Sequence, residues 1–196
     1  LMTLLAQSIL RAALGRVPLG LEALAAWPAV SGLIFLFRSA GVAYNEVVVA
    51  VLDKPGSSRL LRRFATLLSL ALTGLLLLMT ATPLSRLWFG VVSALPENLA
   101  AMAQYALWLA LPLPALSVLQ SLYQGLILHG RRTQGVTESV AVYLLVNAAL
   151  LGAGVIIGRI TGLYTGLFSL VISTLVQTVW LWQRSRTVWQ TVQSRD

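Results

Sequence analysis

The residues best able to do chemistry lie in one short stretch that interrupts a long apolar run. Arg38 falls near the middle of a predicted membrane span from about 23 to 52, and Tyr44, Asn45 and Glu46 follow it. A charged side chain at the centre of a bilayer costs on the order of 2.5–3.5 kcal/mol even on lenient insertion scales. On one helix, Arg38 and Glu46 are ~80° apart around the axis and ~12 Å apart along it. Both can therefore face one cavity without pairing.

Two interpretations of this stretch stay open. In the first, Arg38, Tyr44, Asn45 and Glu46 line a pathway for a substrate or a proton, or anchor an anionic headgroup, because buried membrane charge is usually functional. In the second, Arg38 bonds helix carbonyls or a neighbouring carboxylate while Glu46 reaches the membrane surface. One helix by itself does not show which way its side chains face.

A second polar group lies in the third predicted span. Its members are Ser117, Gln120, Ser121, Tyr123 and Gln124. Gln120 and Gln124 are one turn apart on one face, and Ser117 lies near the same stripe. We favour hydrogen bonds between helices for this group and keep Gln120 and Gln124 as candidate pathway residues. Asn147, near the middle of the fourth span, is expected to join helices in the same way.

Other kinds of site have no support in the sequence. There is no cysteine, which excludes disulfides and thiolate metal sites. The single histidine, His129, sits beside two arginines without a second metal ligand. No carboxylate pair, Ser/His/Asp set or phosphate-binding glycine loop is present. We therefore predict no enzymatic activity, no catalytic residue, no metal and no cofactor.

The composition predicts an integral membrane protein. Hydrophobic residues make up 58% of the 196, charged residues only 10%, and the mean hydropathy is +0.83. A soluble domain carries roughly 25% charged residues. The net charge of +8 lies in short clusters between apolar runs, which favours topology signals and lipid headgroups over nucleic acid. The candidate headgroup contacts are Arg62, Arg63, Arg131 and Arg132.

The predicted fold is all-α, a polytopic membrane helix bundle of five complete spans after a truncated first helix at about 2–14. The membrane bundle covers residues 1–182, and 183–196 form a basic cytoplasmic tail. Pro112 and Pro114 should kink the third span, and Pro28 and Gly32 are natural bending points in the first. The spans are expected at about 23–52, 61–82, 99–128, 136–157 and 163–182.

Basic residues predict the orientation. With alternating spans, nine of them fall on the side that holds the 53–63 and 129–135 connections and the C-terminal tail, against four on the opposite side. Positively charged loops stay in the cytoplasm. We therefore expect a cytoplasmic C-terminus in a bacterial inner membrane, or an equivalent plasma membrane.

Two segments carry a resemblance to a known family. The segment Leu113–Thr133, a proline-containing helix ending in a Gly-Arg-Arg-Thr turn, resembles the tenth helix and following loop of the multidrug/oligosaccharide-lipid/polysaccharide exporter (MATE-like) superfamily. The segment Gly158–Gly166 is similar to the glycine-rich entry to the last helix of that superfamily. Within it, the progressive-ankylosis-type membrane proteins look closest.

The resemblance implies the C-terminal half of a twelve-helix fold, in which two six-helix bundles work by alternating access. It implies a transporter or flippase for an amphipathic or anionic organic or lipid-linked substrate. The partners would be membrane lipids and an N-terminal six-helix bundle. Arg38 is not a general feature of that superfamily, and no ion-coupling site carries over. The alternative is a non-transporting accessory subunit docked to other membrane subunits.

Overall fold

A computed structural model of the protein describes residues 18–52, 54, 56–130, 134–158 and 161–193, together with Ala13 and Gly15. All regular structure in these ranges is helical, which confirms the all-α prediction. A single π-helical turn, Trp88–Val92, follows α3. The helices are α1 (Gly20–Val51), α2 (Ser57–Ala81), α3 (Leu84–Leu87), α4 (Glu97–Ala110), α5 (Pro112–His129), α6 (Gln134–Ile157) and α7 (Gly162–Gln193).

Four of these helices, α1, α2, α6 and α7, are long and apolar enough to cross a membrane. The pair α4 and α5 adds a fifth crossing if the two are taken as one broken span. The chain is therefore a bundle with four to five helices suited to a bilayer. The predicted truncated helix at 2–14 lies outside the described residues, except for Ala13.

Proline shapes the third and first spans differently. The axes of α4 and α5 meet at 42° around Leu111. Leu111 keeps helical backbone angles, but Pro112 lacks an N–H and its ring clashes with the carbonyl one turn back, which bends the helix. This confirms the predicted kink. By contrast, α1 continues through Pro28 as one helix of 32 residues. At ~48 Å it exceeds a hydrocarbon layer of ~30 Å, so it must tilt or protrude.

The last helix does not end where the apolar sequence ends. Its predicted span stops at 182, but α7 continues to Gln193. Glutamine and arginine are good helix formers, and Val188 and Trp189 pack against a buried cluster formed by other helices. Most of the predicted tail is therefore an extension of the helix.

Arg38 lies between two separate apolar cores, both of which include α1. The first contains Ala23 to Ile34 of α1 packed on α4, the π-helical turn and the start of α7. The second contains Tyr44 to Leu52 of α1 packed on α2 and α5. The apolar packing along α1 is thus interrupted at the level of the guanidinium.

The two ends of the bundle differ in charge. We call the end where α1, α5 and α7 finish and α2 and α6 begin the basic end. Its described charged residues are six basic against two acidic, and the opposite end has one basic against two acidic. The basic residues are Lys54, Arg59, Arg62, Arg63, Arg184 and Arg186. The acidic residues at the basic end are Glu46 and Glu138. At the opposite end the acidic residues are Glu22 and Glu97, and the basic residue is Arg86.

Candidate functional site

Asn147 links α6 to α7 in the middle of the bundle. Its Oδ1 accepts hydrogen bonds from Ser169 Oγ at 2.7 Å and Ser173 Oγ at 3.4 Å. Ser169 Oγ is also 3.1 Å from the Asn147 carbonyl oxygen. All three residues are buried, where an unbonded hydroxyl or amide would be costly. These bonds confirm the prediction that Asn147 joins helices.

A second set of bonds joins three helices nearer the basic end. Gln120 Nε2 of α5 donates to Gln177 Oε1 of α7 at 2.9 Å and to the Thr174 carbonyl at 3.3 Å. Gln177 Nε2 in turn donates to Ser139 Oγ of α6 at 3.5 Å. The interhelical bonding favoured for Gln120 from its sequence is therefore confirmed.

Most of these bonded residues, together with Tyr143, form two facing stripes that we call the polar seam. On α6 it contains Ser139, Tyr143 and Asn147, and on α7 it contains Ser169, Ser173 and Gln177. Each stripe has a spacing of four residues, so its members lie on one helix face. Of these six residues, Asn147 alone was expected from the sequence to join helices. The four-residue spacing on each helix was the signal that could have found the whole seam.

Arg38 meets this seam from α1. Tyr143 lies within electrostatic range of the guanidinium. The Arg38 Nε atom is enclosed and has no hydrogen-bond partner among the described residues. The ion pair found among the described residues joins Arg184 to Glu138 and does not involve Arg38. The structure therefore places a cationic side chain near Tyr143 of the seam, with no ion-pairing carboxylate among the described residues.

The other predicted pathway residues on α1 lie elsewhere. Tyr44 is 2% exposed, and its hydroxyl donates to the Leu61 carbonyl at 2.8 Å, tying α1 to α2. Glu46 is exposed on another side of the helix. Asn45 is on the Arg38 side but two turns further on, where its Oδ1 faces Gly125 of α5. These three residues are therefore not part of the polar seam.

Small residues and one long hydrogen bond, from Ser121 Oγ to the Val42 carbonyl at 3.4 Å, join α1 to α5. A Cβ at Gly41 would collide with Ser117 and Val118, and one at Gly125 would lie 2.6 Å from Val48 Cγ1. Together, Ser117, Ser121 and Gly125 form a stripe of small residues one turn apart on α5. Such stripes let membrane helices approach closely. The two serines, predicted as part of a polar group, act here mainly through their size.

Gln124 is partly buried on α5, one turn beyond Gln120. It has no part in the bonds that join Gln120 to α6 and α7. Of the six predicted pathway residues, the structure therefore brings two, Arg38 and Gln120, to the polar seam.

Arginine and tryptophan side chains stack at the basic end. Arg62 of α2 lies over the Trp189 ring of α7, with 5.0 Å from its Cζ to the ring centroid. Within α7, Arg184 lies over Trp180 at 5.3 Å and Arg186 over Trp182 at 3.7 Å. Such stacks place cations and aromatic rings where lipid headgroups begin. Of the other predicted headgroup contacts, Arg63 is exposed, and Arg131 and Arg132 lie outside the described residues.

An open cleft at the opposite end is separate from the seam. It is lined by residues of α3, the π-helical turn and α4, including Arg86, Glu97, Gln104 and Tyr105. In the described ranges, no three His, Cys, Asp or Glu side chains come close enough to hold a metal ion.

No family model matches the chain, and comparison with curated proteins and with solved structures finds no match. The structure defines the class as an all-α protein whose long apolar helices suit a membrane. Within that class, Arg38 and the polar seam are the features that bear on function.

Proposed function

We propose that the protein is an integral membrane transporter or flippase half of MATE-like type. It moves an amphipathic or anionic organic or lipid-linked substrate by alternating access. The observation that supports this most is Arg38, a cation halfway along α1 that lies within electrostatic range of Tyr143 and has no carboxylate partner among the described residues.

Arg38 suits an anionic group physically. A guanidinium offers five N–H donors in a fixed fork that matches a carboxylate or phosphate. In surroundings of low polarity, its charge is stabilised most by an anion brought to it. The hydroxyl of Tyr143, within electrostatic range of the guanidinium, adds a neutral donor. The substrate therefore presents its anionic group to Arg38 and its apolar part to the bundle.

Helix α6 is the element best placed to move. It packs mainly on α7 and has only weak contact with α1 and α5. Only 11% of the residues in its apolar 18-residue stretch are buried inside the bundle. A shift of α6 along α7 would change the separation between Tyr143 and Arg38, and with it access to the guanidinium. Helix α6 is therefore the proposed moving element for alternating access.

The charge asymmetry supports the predicted orientation. An excess of arginine and lysine marks cytoplasmic ends, so the basic end and the C-terminus lie in the cytoplasm of a bacterial inner membrane or an equivalent plasma membrane.

Transport in reconstituted vesicles tests the role of Arg38. The probes are a fluorescent phosphatidylglycerol, which reports lipid flipping, and carboxyfluorescein, which reports organic anion movement. We expect Arg38→Ala to slow protein-dependent movement of at least one probe by tenfold or more. The reason is that a hydrogen bond to a charged group contributes ~1.5–3 kcal/mol. Arg38→Lys should retain part of the rate.

Arg86→Ala is the matched control, because Arg86 is an exposed arginine at the opposite end. Thermal unfolding in detergent separates loss of transport from loss of fold. Rates for Arg38→Ala equal to those of the unchanged protein, in vesicles that move a probe, would refute the proposed role.

A second candidate is a non-transporting accessory subunit of a larger membrane complex. The outer face of α6 supports it, since Leu145 is 72% exposed and Ile156 87% exposed. Such a face can contact another subunit as well as lipid. Purification from native membranes distinguishes the two. Other subunits in a fixed ratio, with no movement of either probe, would favour the accessory role.

A further inference from the structure

Three arginines lie on one face of the first two turns of α2. They are Arg59, Arg62 and Arg63, at spacings of three and four residues, and all are exposed. At these spacings, side chains on a helix are neighbours. The start of a helix also carries a partial positive charge. The face therefore concentrates positive charge at the level where the predicted membrane span begins.

Arg62 is held in place by two other helices. Its guanidinium lies over the Trp189 ring of α7 at 5.0 Å and within electrostatic range of Tyr123 of α5. Both aromatic residues pack against the second apolar core. A guanidinium that stacks by its flat face keeps its N–H edge for bonding. Arg62 is thus prepositioned to donate to an anion.

No carboxylate occupies this face in the described part of the chain. Glu138, at the same end, pairs with Arg184 at 2.6 Å. The positive charge on α2 is therefore complementary to an anion from outside the chain.

An apolar track runs from Arg63 along α2. Leu67 and Leu70 are 58% and 67% exposed and lie one and two turns beyond Arg63, and Leu77 and Leu78 continue the same side. Between them, Gly74 has nothing within 4 Å of the position that a Cβ would occupy. From Leu67 to Leu77 the track measures ~15 Å, half of a hydrocarbon layer of ~30 Å.

We propose that this face binds one anionic phospholipid. Its phosphate bonds the edges of Arg62 and Arg63, with Arg59 adding charge, and one acyl chain lies along the leucine track. The site is distinct from Arg38 and does not depend on transport. It is a defined site on α2 rather than a diffuse attraction of the basic end to the membrane.

Native mass spectrometry of the purified protein tests the proposal by counting retained lipids. The probes are phosphatidylglycerol, with one negative charge, phosphatidylcholine, with none, and glycerol 3-phosphate, a headgroup without chains. We expect one phosphatidylglycerol to be retained at concentrations where phosphatidylcholine and glycerol 3-phosphate are lost. Arg62→Gln and Arg63→Gln should each weaken retention about fivefold, and Leu70→Gln should weaken it without any change of charge at the arginines.

Arg186→Gln is the matched control. It removes the same charge from the same end, but from an arginine stacked on its own helix. Thermal unfolding of each variant checks that it is folded. Equal retention of phosphatidylglycerol and phosphatidylcholine would overturn the proposal. An equal loss of lipid retention in Arg186→Gln and Arg62→Gln would also overturn it, because it would indicate a diffuse attraction of the basic end. Binding of glycerol 3-phosphate as tight as that of the lipid would overturn it as well. A dimer or bound protein lost in Arg63→Gln, with lipid retention unchanged, would instead make the face a protein interface.

Discussion

Two helix pairs in this bundle are held together by different means. Between α1 and α5, glycines and serines let the backbones approach until Gly41 meets Ser117 and Gly125 meets Val48. Between α6 and α7, Asn147, Ser169, Ser173 and neighbouring polar groups form hydrogen bonds. The second pair also has one close approach, of Gly154 to Thr165.

The difference teaches which contacts can change. Lipid tails are as apolar as leucine, so helices in a membrane associate through close packing and polar bonds instead of hydrophobic burial. Close packing has one arrangement, because any shift produces collisions or gaps. Hydrogen bonds can exchange partners. Ser169 Oγ lies within reach of both the side-chain and the backbone oxygen of Asn147, and Ser173 also donates to the Ser169 carbonyl. The α1–α5 pair therefore suits a fixed frame, and the α6–α7 pair suits a movable element.

The largest expected effect breaks the fixed pair. Gly41→Leu should lower the free energy of unfolding by ~1–3 kcal/mol or more, because its side chain would enter Ser117 and Val118. Gly32→Leu on the same helix is the control, since nothing lies within 4 Å of a Cβ there. Thermal or detergent-driven unfolding measures both. Equal stability of the two variants would contradict the close packing of α1 on α5.

An intermediate effect is expected from the movable pair. Asn147→Leu removes the acceptor of two serine hydroxyls, but both hydroxyls keep backbone acceptors. A double-mutant cycle with Ser169→Ala should give a coupling energy between about 0.6 and 1.7 kcal/mol, the range found for membrane helices. A coupling energy above that of the Gly41 effect would reverse the proposed ranking of the two interfaces.

The smallest effect is expected at the link among three helices. Gln120→Leu leaves Gln177 without one donor and should cost ~0.6 kcal/mol. Replacing both glutamines by leucine should cost no more than the single change, because no polar group is then left unpaired. The same unfolding assay compares the single and double variants. A double variant much less stable than Gln120→Leu would show that the two glutamines stabilise the bundle by more than their mutual hydrogen bond.

Local features of the sequence were enough to predict several parts of this structure. Composition and the lengths of apolar runs predicted the all-α class and the long apolar helices, since a helix needs ~20 apolar residues to cross a bilayer. Pro112 predicted the break at Leu111 through its missing N–H and its ring. Asn147 predicted a bond between helices, because an amide in an apolar span needs a partner.

Other features depended on which neighbours each helix acquires. Helix α6 is apolar nearly all round, so its hydrophobic period indicated no inward face. The spacing of Ser139, Tyr143 and Asn147 puts them on one face, but only the packing on α7 shows that this face turns inward. Contacts across the bundle likewise decided that Val188 and Trp189 continue α7 beyond the apolar sequence.

In the stretch around Arg38, too, some features follow from the sequence and others from the tertiary structure. The sequence by itself determined that a cation lies in the middle of a membrane-length helix, because charge and helix length are local properties. Only the tertiary structure decided that Arg38 comes within electrostatic range of Tyr143, that Tyr44 bonds the Leu61 carbonyl and that Glu46 is exposed on another side of α1. The rotation of a helix about its axis is fixed by side chains distant in the chain, here the small residues of α5 that draw α1 close.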